Sequence, residues 1–134
     1  MKLTIGENEK VVLQMQCSHF KGFMNIHQGT IYLTNERLIF ARPNKAVRFW
    51  APAVEGFVTG TDVCFAHPYT DFVSITTKRH GFAKKETITF QSGESYDIQA
   101  MDYDKFMSTL HELVAAANEG KVSDNGEGCF SIVR

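Results

Sequence analysis

Apolar residues recur at every second position through most of this chain, and at every third or fourth position only once, near its C-terminal end. A period of two is typical of half-buried strands, whereas steps of three and four are typical of an amphipathic helix. The sequence therefore predicts a mainly β protein with one C-terminal α-helix that packs on the open side of a small sheet or barrel. The helical stripe comprises Tyr103, Phe106, Met107, Leu110, Leu113, Val114 and Ala117.

The same alternation places the individual elements. Strands are expected over 10–18, 29–34 and 37–42, and the last two flank Asn35-Glu36 at the spacing of a tight hairpin. Later strands are expected over 69–78, 87–90 and 96–98, and the helix over 102–118. Asp102 or Asp104 is expected to cap the helix, and Gly120 to close it. One proline and two glycines interrupt 46–65, where only extended structure is predicted.

Length and charge limit the classes of protein. The chain has 134 residues, 43% of them apolar and 22% charged, which is typical of one globular domain. We expect the domain to span 1–119 and a tail to span 120–134. The formal net charge of −1 provides no general positive field, so nucleic acid is not expected as a partner and any anion must bind at a local patch.

The N-terminal residues and the cysteines predict the compartment. The first nine residues are too polar for a secretory signal, and the apolar runs are too short and interrupted to cross a membrane. Cys17, Cys64 and Cys129 form no C-x-x-C pair and predict reduced thiols. A cytoplasmic location is therefore expected, with peripheral membrane attachment as an open possibility.

Segment 29–40 reads Gly-Thr-Ile-Tyr-Leu-Thr-Asn-Glu-Arg-Leu-Ile-Phe. It resembles the G-x-L/I-Y-L-T-N-x-R-L-I/V-F hairpin of the GRAM family and the small bacterial pleckstrin-homology-like (PH-like) domains. Gly6-Glu7 resembles the family's opening "GE...V" element, and 69–75 is similar to its "Y-x-D-I-x-x-V" strand. The resemblance covers roughly 6–118. It implies a PH-like barrel of two bent antiparallel sheets and about seven strands, capped by the helix, and it says little about function because the motif consists of core and turn residues.

Two groups of basic residues are candidate sites for an anionic lipid headgroup or another phosphate. The first lies on a predicted strand-to-strand loop, where a merely solvated turn is the alternative, and comprises Lys78, Arg79, Lys84 and Lys85. The second would lie on loops at one end if the family fold holds, and comprises Lys21, Arg42 and Lys45, with Arg48 beside them. PH domains that bind phosphoinositides tightly carry several basic residues in the first hairpin, whereas Lys21 is the only one here between 18 and 29.

No residue pattern predicts catalysis, a metal site or a cofactor. The five histidines lack the spacing of metal ligands. In Cys17-Ser18-His19 the cysteine lies on the predicted core face, so a buried inert thiol is favoured over a nucleophile. Carboxylates near the helix start are explained by capping. The chain is therefore not expected to be an enzyme.

The apolar tail segment 129–133 follows a polar linker and is expected either to add to a sheet edge, in its own chain or a neighbour's, or to be a mobile end. Our first functional hypothesis is a binding or adaptor module that engages a protein partner or forms a homo-oligomer. The alternative is a peripheral membrane module that binds anionic lipid headgroups through the basic loops.

Overall fold

The computed structural model describes residues 2–4, 8–21, 25–43, 53–54, 57–80, 83–126 and 129–133. A short 3-10 helix covers Tyr69–Asp71 and one α-helix, α1, covers Tyr103–Ala117. The described strands are β1 Lys2–Thr4, β2 Val11–Phe20, β3 Ile26–Thr34, β4 Arg37–Pro43, β5 Ala53–Val54, β6 Phe57–Pro68, β7 Phe72–His80, β8 Ala83–Phe90, β9 Ser95–Ala100, β10 Val122–Gly126 and β11 Cys129–Ile132.

The described strands form one antiparallel sheet in the order β1-β6-β4-β3-β2-β9-β8-β7-β11-β10, with β5 beside β6. The prediction of a mainly β protein with one helix is confirmed. Eleven strands are described where about seven were expected, and they form one continuous sheet in place of two. The sheet is continuous because β2 pairs with β3 along its length and, over 17–20, with β9 on its other side.

Helix α1 buries one stripe and closes the interior of the bent sheet. Its buried residues are Phe106, Met107, Leu110 and Val114, as the three-and-four repeat predicted. The Asp102 carboxylate accepts a hydrogen bond from the Lys105 amide at 3.2 Å, which caps the first turn. The last turn closes where the Gly120 amide donates to the Ala115 carbonyl at 2.7 Å.

The β3–β4 hairpin is tied to the N-terminal segment by a buried carboxylate. Glu9 is 5% exposed and forms a two-pronged pair with Arg37, at 2.9 Å to Nε and 3.1 Å to Nη2. Glu9 Oε2 also lies 2.6 Å from the Thr34 hydroxyl. The hydroxyl oxygen in turn accepts the Glu36 and Arg37 amides of the hairpin turn. One acidic side chain thus neutralises the arginine and holds the turn.

A glycine in the same hairpin allows close packing. A Cβ on Gly29 would lie 2.6 Å from the Ala41 carbonyl oxygen and 2.7 Å from Phe40 Cζ, so only glycine fits between β4 and the core.

Strands β3 and β4 are buried on both faces over 31–34 and 38–41. Ile31, Leu33, Leu38 and Phe40 point into the main core, as the alternation predicted. The opposite face carries a second cluster of Tyr32, Ile39 and Ala41, each 3% exposed or less, with Val63 and Ala66 packed against it. Period two alone predicts a solvated outer face, and these three residues depart from that prediction.

Residues of the expected tail form a hairpin. Strand β10 pairs with β11, and β11 pairs with β7 in the registers Phe130 to Ile75 and Ser131 to Ser74. Phe130 is 1% exposed and belongs to the main core. The main core therefore includes a residue from beyond position 119. Within the described residues, α1 and the 3-10 helix are both too short and too polar to cross a bilayer.

Replacing Glu9 with alanine is expected to lower the free energy of unfolding by about 2–4 kcal/mol, because Arg37 loses its counter-charge and the Thr34 hydroxyl loses an acceptor. Urea unfolding followed by circular dichroism measures the change. Glu36→Ala, at an exposed turn position, is the matched control and is expected to change stability by less than about 0.5 kcal/mol. Equal effects of the two substitutions would contradict the role assigned to Glu9.

Candidate functional site

The ends of β2, β3 and β4 meet at one end of the sheet and carry basic side chains. His19 on β2 and His27 on β3 are direct register partners. Lys21 follows β2 and is exposed, and Arg42 lies near the end of β4, also exposed. We call Lys21, His27 and Arg42, together with the buried His19, the cationic end.

Arg42 fixes the protonation of His27. Its Nη1 lies 3.2 Å from His27 Nδ1, and His27 Nε2 lies 3.0 Å from Asn25 Oδ1. A guanidinium can only donate, so Nδ1 must accept and the ring proton lies on Nε2, which donates to Asn25. Desolvation, with the charges of Arg42 and Lys21, lowers the pKa of His27. The ring is therefore neutral at neutral pH.

His19 lies beneath this pair with an unpartnered nitrogen. The residue is 7% exposed, and within the described part of the chain its Nδ1 has no hydrogen-bond partner. The rings of Phe65, Phe40 and Tyr96 meet it edge to face at 5.2, 5.5 and 5.8 Å between centroids. Burial lowers the pKa of His19, the nearby Lys21 and His27 lower it further, and Asp97 opposes them. The cluster therefore holds a neutral imidazole against an aromatic wall.

Among the described residues, Asp62 and Asp97 approach the cationic end: the backbone of Asp62 is the register partner of Arg42, and the charge of Asp97 acts on His19. Among the described side chains, no carboxylate lies within ion-pair distance of Lys21 or Arg42. Asp97, which opposes the lowering of the His19 pKa, is held by Lys85 at 3.5 Å and by the Thr87 hydroxyl at 2.6 Å. Exposed guanidinium and ammonium groups at one place can bind a phosphate or a carboxylate.

Two of the residues predicted from sequence for this patch, Lys21 and Arg42, do lie near one histidine pair. Lys45, and Arg48 beside it, lie outside the described residues. Sequence reasoning missed His19 and His27. The sequence did contain a signal for this pair. If the turn between β2 and β3 is centred on position 23, then 19 and 27 are each four residues from the centre and face each other.

The second predicted group lies on the β7–β8 hairpin. Backbone register sets Lys78 opposite Lys85 and Arg79 opposite Lys84. Lys85 lies 4.9 Å over the Phe20 ring and pairs with Asp97. For Lys78, Arg79 and Lys84 the structure describes backbone pairing alone.

A separate polar cluster surrounds His67 near the β8–β9 turn. Its Nε2 lies 2.9 Å from both the Tyr96 hydroxyl and Glu94 Oε2, and its Nδ1 lies 3.7 Å from Asp71 Oδ2. The Tyr96 hydroxyl donates to Glu94, and burial followed by this carboxylate raises the Tyr96 pKa. The ring stacks on Phe90 at 4.0 Å. Because the His67 Nε2, the Tyr96 hydroxyl and the Glu94 carboxylate are engaged with one another and Asp71 lies near Nδ1, the cluster ties the 3-10 helix to the β8–β9 turn.

Cys17 has the environment of an inert thiol. It is buried in the main core, and burial together with the negative charge of Glu86 raises its pKa to about 12. The thiolate, which is the nucleophilic form, is therefore not populated at neutral pH. Within the described residues, no group of three or more histidines, cysteines and acidic residues is placed to hold a metal ion.

Replacing His19 with phenylalanine is expected to make folding less sensitive to acid. The His19 pKa is lowered below 6.5 in the folded chain, so the unfolded chain takes up the proton first and stability falls as pH drops through about 6.5. Unfolding free energies measured between about pH 7.5 and 5 test this. His111→Gln, at a histidine outside the cationic end, is expected to keep the acid sensitivity due to His19, and an unchanged slope in His19→Phe would contradict the assignment.

Comparisons with known proteins bear on the fold. No family model and no curated protein matches the chain. The chain is similar to the C-terminal domain of an unknown protein from Leishmania infantum, at 15% identity over 79% of this chain and 84% of that one, with a TM-score of 0.57.

The chain is also similar to two RhoGEF structures. One is human RhoA in complex with the DH/PH fragment of PDZRHOGEF, at 12% identity over 81% of this chain and 29% of that one, with a TM-score of 0.60. The other is the linker-DH/PH region of p115-RhoGEF, at 10% identity over 81% and 30%, with a TM-score of 0.54. This chain spans less than a third of those two chains. At these identities the likeness shows the fold, which is PH-like.

Proposed function

We propose that this chain is a non-enzymatic binding module of the GRAM type, and that its cationic end binds an anionic phosphate group, foremost that of a membrane lipid headgroup. The observation that carries the proposal is the meeting of Lys21 and Arg42, which have no ion-pair partner among the described side chains, above a buried histidine with a free nitrogen. We place the module in the cytoplasm, at the membrane surface.

An anion completes the interactions that the cationic end leaves open. Arg42 donates one hydrogen bond to the neutral His27 ring, and a neutral ring does not compensate the positive charge of the guanidinium. A phosphate oxygen accepts from the guanidinium and from the Lys21 ammonium far more strongly than an imidazole nitrogen does. It also favours the protonated forms of His19 and His27, whose pKa values the neighbouring cations now lower.

The net charge of −1 makes membrane attraction a local property of this surface. Support for a non-enzymatic role comes from the protonated thiol of Cys17 and from the polar atoms around His67, which are engaged with each other. Binding alone therefore accounts for the chemistry of the described residues.

A protein partner is the second candidate. The similar PDZRHOGEF fragment was crystallised in complex with RhoA, so the fold occurs in a protein that assembles with another protein. Exposed apolar side chains on β2 and after β9, those of Val12 and Met101, are available for such contacts. An adaptor of this kind binds its partner equally well when Arg42 is reversed in charge.

Arg42→Glu is expected to weaken binding to vesicles of phosphatidylcholine containing phosphatidylserine and a phosphoinositide by at least about tenfold, because a cation in the site becomes an anion. Lys105→Glu, on the exposed side of α1, makes the same change in net charge and is expected to alter binding less than about twofold. Co-sedimentation at low and physiological salt measures both.

Equal binding of the two variants would exclude the cationic end and favour the protein-partner candidate. Binding of soluble inositol phosphate, measured by calorimetry, is a second experiment that separates a lipid from a free phosphate compound. Calorimetric binding of this compound without vesicle binding would identify a free phosphate compound, in place of a lipid, as the ligand.

Binding is also expected to strengthen as pH falls from about 8 to about 6. The bound anion raises the pKa of His19 and His27 from their lowered values, so binding takes up protons. The double variant His19→Gln/His27→Gln is expected to show a weaker pH dependence of binding. Any dependence that remains in it reports titration of the ligand itself. Calorimetry in buffers of different ionisation enthalpy measures the proton uptake, and zero uptake by the unmodified chain would contradict the coupling.

A further inference from the structure

The hairpin of β10 and β11, here called the tail hairpin, occupies the edge of β7. Of the two strands of the tail hairpin, β11 is the one that pairs with β7, in the registers Phe130 to Ile75 and Ser131 to Ser74. The half-buried Cys129 adds a contact, since its Sγ accepts a hydrogen bond from the Thr77 amide at 3.2 Å. The tail hairpin is therefore an added unit on a sheet edge that β7 would otherwise expose.

One aromatic side chain anchors this unit. Phe130 stacks on Phe72 with 5.3 Å between ring centroids and meets the His111 ring edge to face at 4.8 Å. His111 Nε2 also lies 2.9 Å from Asp124 Oδ1 on the outer strand. These contacts reach Phe72 of β7 and His111 of α1, which together form the socket for the tail hairpin.

A short, strained hinge connects the tail hairpin to α1. Glu119 has φ of 57° and Gly120 has φ of 73°, so two successive residues are left-handed. Asn118 and Lys121 close the turn through an amide-to-carbonyl bond of 3.0 Å. Glycine adopts this conformation freely, whereas glutamate is strained in it. The closed chain therefore stores strain at Glu119 that an extended hinge would release.

We propose that the tail hairpin is an exchangeable element, and that the edge of β7 with its Phe72 and His111 socket binds the tail hairpin of a second copy of this chain. The exchanged dimer recreates every docking contact between two chains, and only the hinge changes conformation. This surface is separate from the cationic end and does not rest on the proposed phosphate binding.

The chemistry of the outer strand explains why the exchange stops at two copies. Ser123, Asp124 and Asn125 of β10 are exposed and polar, and Asn125 bonds the Ser131 hydroxyl across the hairpin at 3.1 Å. A polar, charged edge strand disfavours the addition of further strands. Reciprocal exchange therefore closes as a two-fold dimer and not as a fibre.

Two hinge variants test the proposal in opposite directions. Gly120→Ala strains the closed turn without a clash, because nothing lies within 4 Å of the added Cβ. Two hinges open in each dimer, so Gly120→Ala is expected to lower the dimer dissociation constant by at least about tenfold. Glu119→Gly relieves the strain of the closed hinge and is expected to raise the dissociation constant by about as much. Light scattering after size exclusion, over about 10 μM to 1 mM protein, measures both.

A thiol trap identifies the interface. Ser74 and Ser131 are Cα partners across β7 and β11, within the span of a disulfide. A chain carrying Ser74→Cys is mixed with a chain carrying Ser131→Cys, both with Gly120→Ala and Cys64→Ser, and oxidised. Exchange places the two new thiols at paired positions of β7 and β11, so more covalent dimer is expected in the mixture than in either chain alone.

Three results overturn the proposal. The first is a monomer at every concentration in Gly120→Ala, and the second is a dimer whose dissociation constant is the same in both hinge variants. The third is a mixture that forms no more covalent dimer than the single chains. The last two would assign any dimer to a surface other than the β7 edge.

Discussion

The paired interaction of Glu9 with Arg37, with the Thr34 hydroxyl between them, is the contact on which the first half of the sheet depends. A buried carboxylate is stable only when its charge is compensated and its oxygens are hydrogen-bonded. Here the compensation comes from the residue that ends the hairpin turn. The turn sets the register of β3 against β4, and this register brings Arg42 to His27 at the far end of the same strands.

The same turn is linked to the C-terminal half of the molecule through Tyr69. Its hydroxyl donates to the carbonyls of Thr34 and Arg37, at 2.7 and 2.9 Å, and burial raises its pKa so that it keeps this proton. The Tyr69 carbonyl accepts from the Asn118 side chain at 3.0 Å, next to the strained hinge. A continuous series of hydrogen bonds thus joins the hairpin turn, the 3-10 helix and the start of the tail.

The two histidine clusters show how the surroundings of an imidazole decide what it can do. His67 lies between Asp71 and Glu94 and has partners for both nitrogens, so it serves the structure. His19 and His27 lie beside Lys21 and Arg42, where burial and positive charge disfavour a further proton. Only the second arrangement has a deficit that a bound anion would correct, which is why we assign binding to the cationic end.

The sequence by itself determined the mainly β class, the C-terminal helix with its Asp102 cap, and the β3–β4 hairpin, because each follows from local periodicity or turn chemistry. Tertiary structure decided the Glu9 and Arg37 pair, the continuous sheet through β2, the outer cluster at Tyr32 and the docking of Phe130 on Phe72. These contacts join residues far apart in the chain, and their partners carry no local pattern. The cationic end depended on both sequence and tertiary structure. The sequence shows the charges of Lys21 and Arg42, whereas the strand register brings them to His19 and His27.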